Sequence, residues 1–160
     1  MSKLLASVRE AIEKTGLKDG MTISFHHHMR NGDYVLNMVL EEAASMGIKD
    51  LTVNASSIFD VHKPIIEHIK NGVVTGLECN YMGAEVGKAI SQGILEKPVI
   101  FRSHGGRAGD MENGSSKIDI AFLAAPCADN MGNCSGKYGP SAVVLWDMRS
   151  QMQCMQIRLS

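Results

Sequence analysis

The apolar residues of this chain change period again and again, and that change confines the fold more than any other feature. Met21, Ile23 and Phe25 alternate with Thr22 and Ser24 as in a half-buried strand, whereas from Val35 the apolar positions Leu36, Val39, Leu40 and Ala43 recur at helical spacing. Leu4, Leu5, Val8 and Ile12 make an earlier helical face that Gly16 is placed to stop. Asp33 is placed to cap the helix that Gly47 ends. Leu51 to Asn54 then reads as a strand, Val61 to Ile69 as a helix with Pro64 in its first turn and Gly72 at its end, and Val73 to Cys79 as a strand. Gly83 to Ile90 reads as a helix despite Gly87. Pro98 to Phe101 and Ile118 to Ala124 read as strands separated by a polar, glycine-rich segment, Ser103 to Lys117. Such alternation with short linkers predicts an α/β fold, a mostly parallel sheet with flanking helices.

In such sheets ligands sit where the carboxyl ends of strands feed into loops. His26-His27-His28-Met29-Arg30-Asn31-Gly32-Asp33 occupies that place after the first strand, so it is the leading site candidate. A metal is not expected there. Consecutive residues of an extended chain point to opposite sides, so three adjacent histidines do not reach one tetrahedral centre, and no Asp, Glu or Cys stands at ligand spacing. Histidines facing a cleft together with Arg30 suit a polycarboxylate instead, through charge-assisted hydrogen bonds. The opposing reading is a histidine turned inward and satisfied by the core, above all the middle one, His27.

Arg102-Ser103-His104-Gly105-Gly106-Arg107 is the second candidate, because it also follows an apolar strand and sets glycines, which let backbone amides approach an anion, between two arginines. It lacks the G-x-x-x-x-G-K-[ST] and G-x-G-x-x-G patterns of nucleotide loops, and an ordinary flexible surface loop is the plain alternative. Ala125 to Asn133 closes the strand at Ile118 with turn-forming residues, and Cys127 within it, having no base partner, reads as a small packed hydrophobe rather than a nucleophile. Met38 and Met46 are assigned to core packing on a helix face.

With 16 basic and 17 acidic residues among 160, the chain has no bulk field for nucleic acid, so anion binding must be local. No apolar run approaches the ~20 residues needed to span a bilayer, and the start, Met1 to Leu5, runs straight into a charged helix, so neither membrane nor export is expected and the cytoplasm is the default. Cys79, Cys127, Cys134 and Cys154 lack the close pairing of a zinc knuckle and read as reduced, mostly structural thiols.

Together these segments resemble the amino-terminal part of the citrate lyase alpha chain family, within the CoA-transferases. The resemblance rests on Gly16 to His28, on Arg102 to Arg107, and on Ile118 to Phe122 with Ala124 to Pro126, Ala128-Asp129 and Gly132-Asn133. General CoA-transferases carry a glycine-rich segment after the same strand. His26-His27-His28-Met29 stands at those positions here, as in the citrate-specific branch. The resemblance implies a CoA-transferase type domain and transfer of an acyl-carrier thioester from acetate to citrate, giving citryl-carrier and acetate. It implies as partners an acyl carrier (gamma) subunit, whose CoA-like prosthetic arm is the group acted upon with no cofactor bound directly, and a citryl-lyase (beta) subunit. The substrate residues it points to are His26, His27, His28, Arg30, Asn31, Gly32, Ser103, His104, Gly105, Gly106, Arg107 and Asn133. The glutamate that relatives use to form an acyl anhydride comes from a later portion of the fold, and neither Glu85 nor Glu112 lies in a matching motif. A non-catalytic carrier-binding or assembly module, and a sugar-phosphate isomerase-like enzyme, are the rival readings.

The resemblance covers 1–142 and then breaks. Family members continue Cys-Gly-Ser-Leu-Gly-Tyr-Ala where this chain has Val143 to Arg149, and the tail 143–160 has no helical or strand period. Back-translated as GCT GTG GTT CTC TGG GAT ATG CGA, Ala142 to Arg149 yields the family continuation in the neighbouring frame. This predicts a one-base deletion near the Ala142 codon, an incomplete domain before it and an out-of-frame tail after it.

Overall fold

The computed structural model describes residues 3–26 and 32–138, so the tail 143–160 and His27, His28, Arg30 and Asn31 lie outside the described residues. Its first helix starts where a serine caps it. Ser7 Oγ accepts the Glu10 N–H at 3.1 Å, and α1 (Val8–Thr15) closes on Gly16 at φ +69. Because the cap fixes the start at Val8, Leu4 and Leu5 precede the helix and are 66% and 38% exposed rather than part of its apolar face.

The chain continues through β1 (Thr22–His26), α2 (Val35–Ser45), β2 (Leu51–Ile58), a 3-10 turn at Asp60–His62, α3 (Ile65–Lys70), β3 (Val74–Met82), α4 (Ala84–Ser91) and β4 (Ile100–Phe101). It ends with α5 (His104–Glu112), β5 (Ile120–Leu123), β6 (Cys127–Ala128) and β7 (Cys134–Ser135). The N-cap of α2 is Tyr34 rather than Asp33, and Asp33, one residue earlier, takes the Val35 N–H on Oδ1 at 2.7 Å. The helix expected from Val61 splits in two, because Pro64 has no N–H to give the Asp60 carbonyl and the helical ladder cannot run through it. Met46 packs against the core as expected, whereas Met38 is 52% exposed, on the outer side of α2.

Five parallel strands form one sheet in the order β4-β3-β2-β1-β5, and β6 pairs antiparallel with β7. Right-handed crossovers that step from β1 to β4 in one direction put α2, α3 and α4 on one face. The return from β4 at one edge to β5 at the other puts α5 on the opposite face. The first face is apolar: Ile23, Val53, Leu77 and Ile120 join Ile12, Leu40, Ile65 and Val86 in a single core. Each such side chain contributes about 1.5–3 kcal/mol on burial. Phe25 stacks on its register partner Phe122 with ring centroids 5.6 Å apart.

The opposite face is polar. Ser24, Asn54 and Glu78 are register partners across β1, β2 and β3, and the first two are 0% and 1% exposed. The segment Ser103 to Lys117, expected as a loop between strands, covers them as helix α5. Ser103 caps it, its Oγ accepting the Gly106 N–H at 3.0 Å, and Arg107 roots it in the sheet. Glycine content was a poor guide here because these two anchors outweigh the propensity cost.

Candidate functional site

The carboxyl ends of all five strands lie on one edge of the sheet. β1 leaves that edge toward α2 on the apolar face, while its neighbour β5 is entered from α5 on the polar face, so the crossover direction reverses between them. Such a switch point opens a crevice at the strand ends. His26, the last residue of β1, stands there, paired in register with Leu123, and its carbonyl accepts the Ala124 N–H at 3.1 Å. A cavity of about 10 Å³, room for roughly one water, lies beside it and is lined by Phe25, His26, Asp33, Ser57, His62 and Phe122. Gly32, just ahead of α2, has φ +84.

The amino end of α5 opens onto the same edge. His104, Gly105 and Gly106 are exposed, and the first amides of a helix have no partner within it, which leaves those of His104 and Gly105 available to an anion. Ser103 follows β4, three strands from β1, so the two clusters begin about 14 Å apart at the spacing of strands in a sheet. α5 then slants back across the sheet. One turn in, Arg107 reaches β1 and β2, donating from Nε to Asn54 Oδ1 and from Nη2 to Ser24 Oγ, both at 2.8 Å.

Arg107 is 7% exposed, and burial lowers its pKa, opposed by the charge of Glu78. Around it Glu78 Oε2 accepts from Asn54 Nδ2 at 2.8 Å, Ser116 Oγ at 2.9 Å and Arg102 Nη1 at 2.7 Å. Arg102 also donates to Asp110, a bond that raises the arginine's pKa. The two arginines of the Arg102 to Arg107 segment therefore hold α5 on the sheet, and the exposed part of that segment is Ser103 to Gly106. Asn133 lies in the turn between β6 and β7, with its N–H and Nδ2 donating to Asp129 at 2.9 and 2.8 Å, which holds that carboxylate below its ordinary range. The Cys79 thiol, pushed up to about 11 by burial, is inert at neutral pH. Cys79, Cys127 and Cys134 are free thiols.

Two groups escaped the sequence reading. One is the buried network itself, whose only trace is Ser24, Asn54 and Glu78 at mid-strand positions on one side of the sheet. The other is His62, 2% exposed. Among the described residues no helix is long and apolar enough to cross a membrane.

A five-stranded parallel sheet with helices on both faces and a crossover reversal at its carboxyl edge defines an α/β domain. The family model of the citrate lyase alpha subunit matches residues 1–146. The citrate lyase alpha chain of Haemophilus influenzae is 52% identical over 139 residues, 87% of this chain and 28% of that one. The alpha chain of Escherichia coli is 46% identical over 137 residues, 86% of this chain and 27% of its own length. The alpha subunit of citrate lyase from Streptococcus mutans, crystallised in complex with citrate, superposes with a TM-score of 0.86 at 58% identity, over 89% of this chain and 28% of that one. The chain belongs to the citrate lyase alpha subunit family, and it spans 28% of the length of the Haemophilus relative.

Proposed function

We propose that this chain carries the citrate-recognising region of a citrate lyase alpha subunit, a cytoplasmic enzyme component that exchanges acetate for citrate on an acyl-carrier thioester. The observation that carries the reading is 58% identity to a citrate-bound alpha subunit, combined with a carboxyl-edge switch point ending in His26. The reaction consumes acetyl-carrier and citrate and yields citryl-carrier and acetate. A citryl-lyase (beta) subunit then cleaves the citryl group, and the thioester sits on the CoA-like arm of the acyl carrier (gamma) subunit.

A trianionic substrate needs cationic or N–H donors on several sides, and the thioester carbonyl needs donors where its oxyanion develops. His26, His27, His28, Arg30 and Asn31 are assigned to citrate, with Gly32 giving the backbone turn behind them. The amides of His104 and Gly105 and the side chains of Ser103 and His104 are assigned to the anion or oxyanion, with Gly106 closing the helix cap on Ser103. Arg107 acts by seating α5, and Asn133 by shaping the turn that follows β5.

We further propose that Val143 to Ser160 is out-of-frame sequence arising from a one-base deletion near the Ala142 codon. Sequencing that junction should reveal Cys-Gly-Ser-Leu-Gly-Tyr-Ala one frame over; no such reading sinks this part.

Citrate-dependent acetate release from acetyl-carrier, measured with this chain and with its frame-restored form, tests the activity. Release by the restored form is expected, and none from either form overturns the reading. In the restored form, His26→Ala, His27→Ala and His28→Ala are expected to weaken citrate binding. Unchanged affinity in all three would refute the role given to the histidines.

A further inference from the structure

We infer that His62 is a positioning residue for the citrate site, holding Gly32 and Asp33, just ahead of α2, against the turn that follows β2. The inference rests on the citrate reading above and goes beyond it, since His62 lies on the next loop, in the 3-10 turn that follows β2. The ring is buried and bridges two chain segments. Nδ1 accepts the Phe59 N–H at 3.1 Å, so that nitrogen carries no proton and the ring is neutral. Nε2 therefore bears the hydrogen and donates it to the Asp33 carbonyl at 2.8 Å. The tautomer is fixed by its partners on both sides.

Two further contacts tie the same segments together. Asn37 Nδ2, on the first turn of α2, donates to the Val61 carbonyl at 2.9 Å. Gly32 packs so closely on the turn that an added Cβ would stand 3.0 Å from His62 Cε1, Phe59 Cδ2 and Val61 Cγ1. Its φ of +84 is also one that side chains rarely adopt. The loop after β1 is thus locked to the loop after β2 at Gly32 and Asp33. His62 and Asp33 line the small cavity that His26 also lines, so the lock sits beside the last residue of β1. Misplacing a substrate-binding segment by about 1 Å costs on the order of a hundredfold in function, which is the scale of effect a lost lock can have.

The two bonds of His62 can be separated by substitution. His62→Gln keeps a donor near the Nε2 position, and His62→Asn keeps an acceptor near Nδ1. Citrate is titrated calorimetrically into the chain and into its His62→Ala, His62→Asn and His62→Gln variants, with amide exchange from Gly32 to Val35 followed in parallel without citrate. Citrate binding is expected to fall on the order of tenfold or more in His62→Ala and His62→Asn and to recover in His62→Gln, with exchange faster in the first two alone. Wild-type affinity in all three variants, or recovery by Asn and not by Gln, overturns the inference. If His62→Ala does not fold, the Asn and Gln variants decide it. If the wild-type chain takes no citrate, the citrate reading fails for this chain, and exchange alone decides whether His62 holds the loop: equal exchange in all forms overturns it.

Discussion

On one face of the sheet Ile23, Val53 and Leu77 lie under α2, α3 and α4 in an apolar core; on the other, one residue along each strand, Ser24 and Asn54 meet α5 through Arg107, and Glu78 is joined to it through Arg102 and Asp110. The strands are the same, and their two-residue period alone separates the two environments. The apolar face is non-directional, so it supplies stability without dictating where any one helix ends. The polar face is directional. Arg107 holds α5 against β1 and β2 with two bonds of fixed geometry, and so places the exposed amides of His104 and Gly105 relative to β1, which ends at His26. One face holds the fold together, and the other aligns the site.

The sharpest way to break this contrast is to remove the link. Arg107→Ala strips Asn54 Oδ1 and Ser24 Oγ of their donor and should cost about 1–3 kcal/mol for each acceptor left unsatisfied, read as a fall in the urea midpoint. A loss no larger than that of a surface ion pair, about 1 kcal/mol at most, would mean that α5 is held by something else. Arg107→Lys should rescue little, since one ammonium on a flexible stem does not reproduce the fork.

Leu40→Ala probes the apolar face. The side chain is 0% exposed, and its loss should cost about 2–5 kcal/mol. Citrate affinity at temperatures where the variant stays folded should change less than in Arg107→Ala. Equal losses of affinity in the two variants would erase the distinction between the faces.

Acid should distinguish the faces by a smaller effect. His68, on α3 and 3.8 Å from Glu41, has its pKa lowered by burial, with Glu41 and Glu67 opposing. The unfolded chain therefore binds a proton that the folded chain resists. The associated stability is present above the ordinary histidine range and is lost as pH falls from about 6.5 toward the lowered folded value. Melting temperature should decline over that window, and His68→Gln should flatten the decline. The smallest effect is a gain. Gly109 lies within α5 with nothing within 4 Å of an added Cβ, so Gly109→Ala should stabilise the chain by up to about 1 kcal/mol in urea unfolding.

The apolar face was legible in the sequence because its signals are local: Leu36, Val39, Leu40 and Ala43 repeat at helical spacing, and Gly16 and Gly47 punctuate. The polar face was not. Its stabilising partners are 53 residues apart for Arg107 and Asn54 and 83 for Arg107 and Ser24, and no window of sequence contains both ends. Three glycines in α5 imitate a loop, and only the Ser103 cap and the buried arginine overrule them. Leu4 and Leu5 fit the helical period, yet a cap at Ser7 excludes them, and Met38 fits it while facing out. At the site, the end of β1 at His26 was legible from the alternation of Met21 to Phe25. The part played by His62 was not, since a histidine in a short turn carries no signal until Asp33 is placed against it.

The proposed citrate site at the carboxyl edge is tested most directly by NMR titration of citrate into the folded chain, following backbone and histidine-ring signals together. Saturable shifts are expected at His26 and at the amides of His104, Gly105 and Gly106, with the residues of α4 at rest. Saturation without movement at either cluster, or movement confined to α4, would contradict it.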